Sequence, residues 1–437
     1  MKQTAPVPTG LAVLDLARAG RFAEIRDLFA PQLRTMVTAE ALQSAWSAEL
    51  GRLGPVCAAG TPVSEPPAAG VAVVKIPVTF ERGELTLVVS VTDAGWLAGL
   101  QLAPAAAAQP TQPWEPPAYA DPGTFDEQEV TIGSGPLAVP GTLSLPRTPG
   151  PGPGVGSRPG IVLLSGSGPQ DRDETIGRNK PLKDVAWGLA SRGVAVARFD
   201  KVTYAHRNEV AQAPDFTVAD EYVPHAVAAV HLLAQHPAVD AGRIFVLGHS
   251  LGGTLAPRVA AAQPSVAGLV ILAGGTQPLH WAAVRQVRYL ASLDPATAAA
   301  SESVIEAMSR QAAAVDSPGL SPSTPASELP FGGPAPYWLD LRGYDPVAVA
   351  AALGQPMLIL QGGRDYQVTV ADDLAGWKAG LAHRPDVTFR VYDPDNHLFF
   401  PGTGPSAPVE YEPAQHVDPA VIADIASWLT PAGPVPG

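Results

Sequence analysis

The 437-residue sequence contains a single cysteine, Cys57, and no long apolar run. One cysteine excludes an internal disulfide. No apolar stretch reaches the ~18 residues that a membrane-spanning helix needs. Lysine and arginine are outnumbered by aspartate and glutamate, and the formal net charge is −13. This balance argues against nucleic-acid binding through phosphate contacts.

The sequence also lacks the patterns of two common cofactor sites. No histidine, cysteine and carboxylate set has zinc spacing, and no phosphate-binding glycine loop with a lysine precedes a helix. We therefore expect neither a metal nor another cofactor. The proline-broken, amphipathic start is unlike a signal peptide, so we expect a cytoplasmic protein, or a secreted one if a leader has been removed.

What is present is a globular composition, with 46% hydrophobic and 16% charged residues. Residues 1–105 combine helical spacing with later strands, which predicts a small α+β domain with a packing or assembly role. Residues 106–123 are rich in alanine and proline and predict a semi-rigid linker. Residues 124–437 alternate strands and helices, which predicts an α/β domain with a doubly wound, mostly parallel sheet.

One segment of the α/β region breaks this alternation. Residues 277–352 lie between two strands where a single helix would suffice, and such long insertions are often functional lids. Its aromatic residues either line an apolar substrate pocket or pack a small core within the insertion. The pocket candidates are Trp281, Tyr337 and Trp338, together with Tyr289, Phe331 and Tyr344.

The stretch 243–253 predicts a nucleophile elbow. The apolar strand 243–247 leads into a G-x-S-x-G pattern, in which Ser250 occupies a strained turn before a helix. A side chain at Gly248 or Gly252 would collide across the tight bend. Because the chain has 43 glycines, the pattern also arises by chance, and its meaning depends on the rest of the site.

A serine nucleophile needs a base, and the base needs a carboxylate that orients it. In elbow-type sheets the acid and then the histidine follow the serine along the chain, each after a late strand. Asp365 follows the predicted strand 357–360, and His397 follows the predicted strand 387–392. Because these strand ends share one edge of the sheet, we predict a triad of Ser250, Asp365 and His397.

Other residues are weaker candidates for these roles. His249 lies inside the elbow and is interpreted as a residue that shapes the backbone rather than as the base. Asp340, Asp345 and Asp393 remain alternatives for the acid. Asp393 and Asp395 are interpreted as turn formers that bond to their own backbone.

A tetrahedral intermediate needs two N–H donors for its oxyanion. Leu251, directly after the nucleophile, is predicted to supply one. The loop after the early strand 161–164 is predicted to supply the other, from Ser167 or alternatively from Gly166. The charged run 171–174 is interpreted as a set of ion pairs that holds this loop, with substrate binding as the alternative.

Five motifs together resemble a known family. They are SGSGPQDRDE (165–174), RFDK (198–201), GHSLGG (248–253), LILQGGRDYQV (358–368) and DNHLFF (395–400). The set resembles bacterial serine hydrolases of the α/β-hydrolase superfamily. Within it, the chain is most similar to carboxylesterases, related to dienelactone hydrolases and serine aminopeptidases, that carry a small N-terminal domain of unknown function.

The resemblance implies an α/β-hydrolase fold with residues 277–352 as a helical cap. It also implies hydrolysis of short- to medium-chain acyl esters through an acyl-enzyme on Ser250. The expected partner is a small-molecule ester; whether copies of the chain associate through the N-terminal domain or the cap stays open.

Two other functions stay open. One is a peptidase or amidase on the same triad, although the insertion shows no clear carboxylate pair to anchor an amine. The other is a non-catalytic binding protein on a hydrolase scaffold, against which the intact triad argues.

Overall fold

The computed structural model describes residues 6–31, 33–34, 37–64, 70–104, 114–147, 158–293 and 295–430. The chain divides into two compact units, Met1–Gln112 and Pro113–Gly437. Among the described residues, no helix is both long enough and apolar enough to cross a bilayer.

The N-terminal unit is a small α+β domain, as predicted. Its elements are α1 (Pro6–Arg18), α2 (Phe22–Leu28), α3 (Ala39–Leu53), β1 (Val56–Ala59), β2 (Val63–Ser64), β3 (Val71–Phe80), β4 (Gly83–Thr92) and β5 (Leu97–Pro104). The antiparallel sheet has the order β1-β3-β4-β5, and β2 also pairs with β3. Alternate residues of β3 are buried, which places one face of the sheet in a core with Leu14 of α1 and Trp46 of α3.

The second unit is built on a larger sheet. Its described strands are β6 (Phe125–Ile132), β7 (Val139–Pro146), β8 (Arg158–Leu164), β9 (Ala195–Phe199), β10 (Val239–His249), β11 (Gly268–Leu272), β12 (Met357–Gly362) and β13 (Val387–Tyr392). They are ordered β13-β12-β11-β10-β8-β9-β7-β6. Strands β8 to β13 are parallel to their neighbours within that group, whereas β7 is antiparallel to β6 and β9. The predicted mostly parallel sheet is confirmed.

Helices cover both faces of this sheet. They are α4 (Pro181–Ala190), α5 (Val202–Ala205), α6 (Arg207–Ala211), α7 (Val218–Gln235), α8 (Leu251–Ala262), α9 (Leu279–Leu293), α10 (Pro295–Asp316), α11 (Ala335–Arg342), α12 (Pro346–Ala352), α13 (Ala375–Gly380) and α14 (Pro419–Leu429). Val162 and Leu164 of β8 share a core with α7 and α8, whereas Ile161 and Leu163 share one with α4 and α14. Burial on both faces explains the continuous apolar run of β8.

The C-terminal part of the predicted linker packs on the α/β unit. Residues 105–113 lie outside the described residues. The Trp114 indole N–H donates to Asp184 Oδ1 at 2.9 Å, and its ring meets Trp187 edge-on with centroids 4.9 Å apart. Residues from Trp114 onward are therefore held by the α/β unit.

Residues 277–352 form the helical cap that the sequence predicts, with α9 to α12 following β11. Two small apolar clusters hold it. Val284 and Ala312 belong to the cluster between α9 and α10, and Val315 and Trp338 belong to the cluster between α10 and α11. The cap thus has packing of its own in addition to its contacts with the sheet domain.

Candidate active site

The nucleophile elbow is formed where β10 ends at His249 and α8 begins at Leu251. Ser250 lies between them with φ 53° and ψ −120°, a conformation that a residue with a Cβ keeps only when its surroundings enforce it. A Cβ on Gly248 would lie 2.1 Å from the carbonyl oxygen of Gly252, across the bend. The predicted need for glycine at position 248 is confirmed.

Gly252 is required because of a neighbouring strand rather than because of the bend itself. Its Cβ would lie 2.6 Å from the carbonyl oxygens of both Leu164 and Ser165. These residues end β8 and begin the following loop. The first turn of α8 therefore touches the main chain of that loop, and a side chain at position 252 would push the two apart.

The predicted acid and base meet at the ends of β12 and β13. His397 Nδ1 lies 2.7 Å from Asp365 Oδ2, and both side chains are buried. The carboxylate is fixed by further donors: Oδ1 accepts from the N–H groups of Gln367 at 2.8 Å and Val368 at 3.0 Å, and Oδ2 accepts from the Gln361 amide at 3.1 Å. These bonds hold Asp365 and His397 in place, and none of them involves Ser250.

The competing aspartates have other partners or lie on the surface. Asp340 forms an ion pair with Arg258 at 2.7 Å, and Asp345 caps α12. Asp393 is exposed. In the turn that follows β13 it is Asn396 that bonds the main chain, since its Oδ1 accepts from the N–H groups of Leu398 and Phe400.

The elbow lies against both the histidine loop and the loop after β8. The rings of His249 and His397 have centroids 4.8 Å apart. A Cβ on Gly166 would lie 3.2 Å from Ser250 Cβ. Ser250 therefore stands between the loop that carries the predicted base and the loop that carries the predicted oxyanion donor.

The two candidate oxyanion donors in the loop after β8 differ in whether their surroundings leave them available. The Gly166 N–H donates to Glu174 Oε1 at 2.6 Å, so it is engaged within the protein and the alternative assignment to Gly166 is wrong. Ser167 is exposed and, with Leu251, lines the cavity beside Ser250. Leu251 is the first residue of α8, where N–H groups have no acceptor inside the helix.

The charged run 171–174 holds this loop through ion pairs, as predicted. Arg172 Nε pairs with Asp200 Oδ1 at 2.9 Å. Asp173 pairs with Arg198 at 2.9 Å and with Lys180 at 2.8 Å. Arg198 and Asp200 lie at the end of β9, and Lys180 lies just before α4, so the run fastens the loop to the body of the domain.

Comparison with known proteins agrees with this geometry. The sequence model of a family described as serine aminopeptidase, S33, matches residues 176–400. Esterase EstD of Thermotoga maritima is 37% identical over 351 residues, which cover 80% of this chain and 77% of EstD. The chain belongs to this family of α/β hydrolases. The prediction of a carboxylesterase-type serine hydrolase is confirmed.

Solved structures with lower similarity include two hydrolases. Est1E from Butyrivibrio proteoclasticus is 16% identical, with a TM-score of 0.42 over 69% of this chain and 97% of its own. A Mycobacterium tuberculosis puromycin-hydrolyzing peptidase is 16% identical, with a TM-score of 0.44 over 82% of this chain and 45% of its own.

A cavity of about 1050 Å³ lies beside Ser250 in this hydrolase. The catalytic side of its wall includes Ser167 and Leu251. The opposite side is contributed by the cap, mainly through the aromatic and apolar residues Leu279, His280, Phe331, Tyr337, Trp338 and Tyr344. Trp338 fits both sequence interpretations, because it lines the cavity and is also buried in the cap's own core.

Trp281 does not meet the prediction that it lines this cavity. It is not among the described residues of the cavity wall, and its indole N–H donates to Asp316 Oδ2 at 2.6 Å near the surface. Its neighbour His280 does line the cavity. Successive helical residues point about 100° apart, so a shift of one position along α9 exchanges the two roles.

The sequence interpretation missed a buried polar network between the cap and the loop after β8. Lys201 Nζ donates to the Gly166 carbonyl oxygen at 2.9 Å and pairs with Glu221 Oε1 at 2.9 Å. Glu221 Oε2 accepts from the hydroxyl of Tyr337 in the cap at 2.9 Å. Burial lowers the pKa of Lys201, although the Glu221 carboxylate acts in the opposite direction. The motif RFDK contained Lys201, but its partners are too distant in sequence to be recognised.

Proposed function

We propose that this protein hydrolyses carboxylic esters through an acyl-enzyme formed on Ser250. The Ser250 hydroxyl attacks the ester carbonyl, and its proton passes to His397 Nε2. The same proton is then given to the departing alkoxide. Water repeats the attack on the acyl-enzyme, which releases the acid and restores the serine.

The observation that carries this proposal is the hydrogen bond between His397 and Asp365 beside a strained serine turn. With Nδ1 bonded to the carboxylate at 2.7 Å, the proton of a neutral His397 lies on Nδ1 and Nε2 is left as a base. The hydrogen bonds of the Asp365 carboxylate fix its position relative to the His397 ring. This supports Asp365 as the group that orients the base.

The developing oxyanion would be stabilised by the N–H groups of Leu251 and Ser167. Both residues line the cavity next to Ser250. Donors fixed in place before the reaction need no rearrangement as charge develops, which is why such groups contribute strongly to catalysis. The engagement of Gly166 by Glu174 supports Ser167 as the donor from this loop.

The cavity supports an ester with a short- to medium-chain acyl group. Its volume, about 1050 Å³, is at the upper end of the range common for small-molecule sites. The cap contributes aromatic and aliphatic side chains that would cover the acyl chain. We expect turnover of p-nitrophenyl esters to fall when the acyl chain outgrows this space.

The carboxylates of the cavity wall favour an ester over a peptide with a free amine. Glu221 is paired with Lys201, Asp316 bonds His280, and Asp373 pairs with Arg285 at 2.8 Å. A fourth carboxylate, that of Asp345, caps α12. An aminopeptidase needs carboxylates to hold the substrate's ammonium group, and each of these already has a partner within the protein.

The decisive experiment is Ser250→Ala assayed with a p-nitrophenyl short-chain ester and, in parallel, an aminoacyl anilide. We expect the variant to lose at least ~10³-fold of ester turnover, because the nucleophile is absent. Ser265→Ala is the matched control, since Ser265 is exposed in a surface turn.

Labelling with a fluorophosphonate separates the alternatives. The wild-type protein should form an adduct on Ser250, and no adduct would favour a binding protein. Faster turnover of the anilide than of the ester would favour a peptidase. Undiminished ester turnover by Ser250→Ala would refute the proposed nucleophile.

A further inference from the structure

A second histidine–carboxylate pair lies directly behind the nucleophile, and the proposed mechanism does not use it. Glu174 and His249 are both buried, with His249 Nδ1 3.0 Å from Glu174 Oε1. The same oxygen accepts from the Gly166 N–H at 2.6 Å. On its other side, His249 Nε2 lies 3.0 Å from the main-chain carbonyl oxygen of His397. One imidazole ring thus connects the loop after β8 with the loop after β13.

The bonding partners fix where the protons lie. A carbonyl oxygen only accepts, so His249 Nε2 must carry a proton to bond His397. The Gly166 N–H reaches the shared Glu174 oxygen at 2.6 Å, and so short a bond is typical of an ionised carboxylate. If Glu174 is ionised, then His249 Nδ1 must also carry a proton, and the ring is an imidazolium.

We propose that His249 is a protonated positioning residue, whose imidazolium bridges Glu174 and the His397 carbonyl and so holds the two loops at their working distance around Ser250. This inference rests on the proposed function, because it assigns the two loops to the oxyanion donor and the base. It adds that a buried positive charge stands one residue before the nucleophile.

The backbone of Glu174 is consistent with a residue held in place for this purpose. It adopts φ 54°, in the left-handed region that glycine favours, although it carries a long side chain. The three preceding residues are fixed by their own bonds and ion pairs, so the conformation is enforced from one side. From the opposite side, His249 bonds the Glu174 carboxylate and holds its side chain.

The charges of the two groups stabilise each other. Burial by itself would lower the pKa of His249, but the Glu174 carboxylate, the His397 carbonyl oxygen and Asp365 together raise it. Burial would raise the pKa of Glu174, but His249, the Gly166 N–H group and His397 together lower it. The other titratable groups facing the pair are Lys201, Tyr222, Asp365 and His397.

These directions define a pH window for the bridge. Because the pKa of His249 is raised on folding, its stabilising contribution is lost as the pH rises through that folded value. Because the pKa of Glu174 is lowered, its contribution is lost as the pH falls through its own folded value. Between the two, the bridge is intact. We expect kcat to decline at alkaline pH when His249 loses its Nδ1 proton and faces the carboxylate with a lone pair.

The first test is Glu174→Gln, which keeps the shape of the side chain and removes its charge. Without the carboxylate, burial lowers the pKa of His249, and a neutral ring cannot donate on both sides. We expect kcat at neutral pH to fall by about 10- to 100-fold, as loop misplacement does elsewhere, and the alkaline decline to move to lower pH. KM should change little, because the cavity wall is untouched.

The matched control is Asp184→Asn. Asp184 is another buried carboxylate that bonds a histidine, His416, at 3.2 Å, away from the catalytic loops. A merely structural contribution would give Asp184→Asn and Glu174→Gln similar effects. Wild-type kcat and an unmoved alkaline decline in Glu174→Gln would overturn the proposal.

The second test does not depend on catalysis. Nitrogen-15 NMR of histidine-labelled Ser250→Ala protein, with His249→Gln in the same background for assignment, reports the protonation of both ring nitrogens. We expect the His249 ring to remain an imidazolium at pH values where free histidine is neutral. An unprotonated His249 nitrogen at pH 7 would refute the proposal. Full activity in Ser250→Ala would instead count against the proposed function and leave this measurement interpretable.

Discussion

The two walls of the cavity are built on different principles. The catalytic edge, which we define as the loops 165–174, 248–252, 363–368 and 393–400, is held by main-chain contacts and by buried, hydrogen-bonded polar side chains. The Cβ that would replace a hydrogen of Gly248 or Gly252 meets main-chain atoms at 2.1 Å and 2.6 Å. The main chain is therefore packed too closely at these two positions to admit a side chain.

The cap wall is held mostly by apolar side chains in small clusters. Trp338 is 1% exposed, whereas Phe331, which stacks near it with centroids 6.3 Å apart, is 66% exposed. Apolar clusters tolerate substitution when volume is kept, since no single contact direction is essential. From this difference we expect the edge to govern the chemical step and the cap to govern which substrate is accepted.

The largest effect is expected from Asp365→Asn. The amide oxygen still accepts from Gln367 and Val368, which leaves the amide NH₂ facing His397. The ring must then carry its proton on Nε2, where the base is needed, so we expect kcat to fall by about 10⁴-fold. Steady-state kinetics with a p-nitrophenyl ester would measure this loss.

Asp393→Asn provides the control for this variant. Asp393 follows β13 and is an alternative acid on sequence grounds, but its side chain is exposed. We expect its kcat to match the wild type. A comparable loss in both variants would contradict the assignment of Asp365 as the acid.

The next prediction compares an alanine substitution at a glycine of the catalytic edge with one at a glycine of the cap. In Gly252→Ala the new methyl group meets two carbonyl oxygens at 2.6 Å. In Gly343→Ala, at the end of α11, the nearest atom is 3.5 Å away and φ is −80°, which alanine adopts easily. We expect Gly252→Ala to lose about 1–3 kcal/mol of stability and about 100-fold in kcat, and Gly343→Ala to stay within about 0.5 kcal/mol.

Urea unfolding and kcat, measured together, decide this comparison. The stability difference reports the overpacking, and kcat reports whether the loop after β8 has moved. If both alanine variants behaved alike, the close approach at position 252 would have no special consequence, and the two walls would not differ in the way described.

The catalytic edge was largely predictable from sequence because its signals are local. The glycines around Ser250, the strand before it, and the positions of Asp365 and His397 after strands β12 and β13 are all readable from short stretches. The parallel topology then places these residues at one edge of the sheet. The charged run 171–174 was predicted to hold the edge, but its partners were not predictable: Glu174 and His249 are 75 positions apart and meet only in the folded chain.

The cap was predictable only in outline. Its length, its helices and its aromatic content are visible in the sequence. Which aromatic side chains face the cavity depends on how α9 and α11 rotate against each other, and the sequence does not contain that angle. Trp281 and Trp338 illustrate this: both are tryptophans in helices of the cap, yet one lies near the surface and the other in the core.

Tyr337→Phe tests whether the cap reaches the catalytic edge. It removes the hydroxyl that donates to Glu221, whose other oxygen pairs with Lys201 behind Gly166. Leaving one buried carboxylate oxygen without its donor should cost about 1–3 kcal/mol of stability. We expect kcat to fall by about threefold to tenfold, which corresponds to about 0.7–1.4 kcal/mol in the barrier.

Tyr344→Phe is the counterpart, since it removes a different bond, between the cap and α8. The Tyr344 hydroxyl donates to the Thr254 carbonyl oxygen at 2.9 Å, and this bond has no link to the loop after β8. We expect a small stability loss, about 0.5–1.5 kcal/mol, and an unchanged kcat. An equal decrease of kcat in both phenylalanine variants would argue against a specific connection through Glu221.

The smallest effect is expected from two substitutions within the cap, Phe331→Ala and Trp281→Ala, which should differ in KM. Phe331 lines the cavity, so Phe331→Ala removes apolar surface that a bound acyl chain would cover. We expect the loss of apolar burial to equal that of about one methylene group, or about 0.8 kcal/mol. This loss should raise KM for octanoate esters by about fourfold. KM for acetate esters should stay nearly unchanged. Trp281→Ala should leave both KM values unaltered, because its indole bonds Asp316 near the surface. A chain-length-dependent KM in Trp281→Ala would mean that substrate reaches the other face of α9.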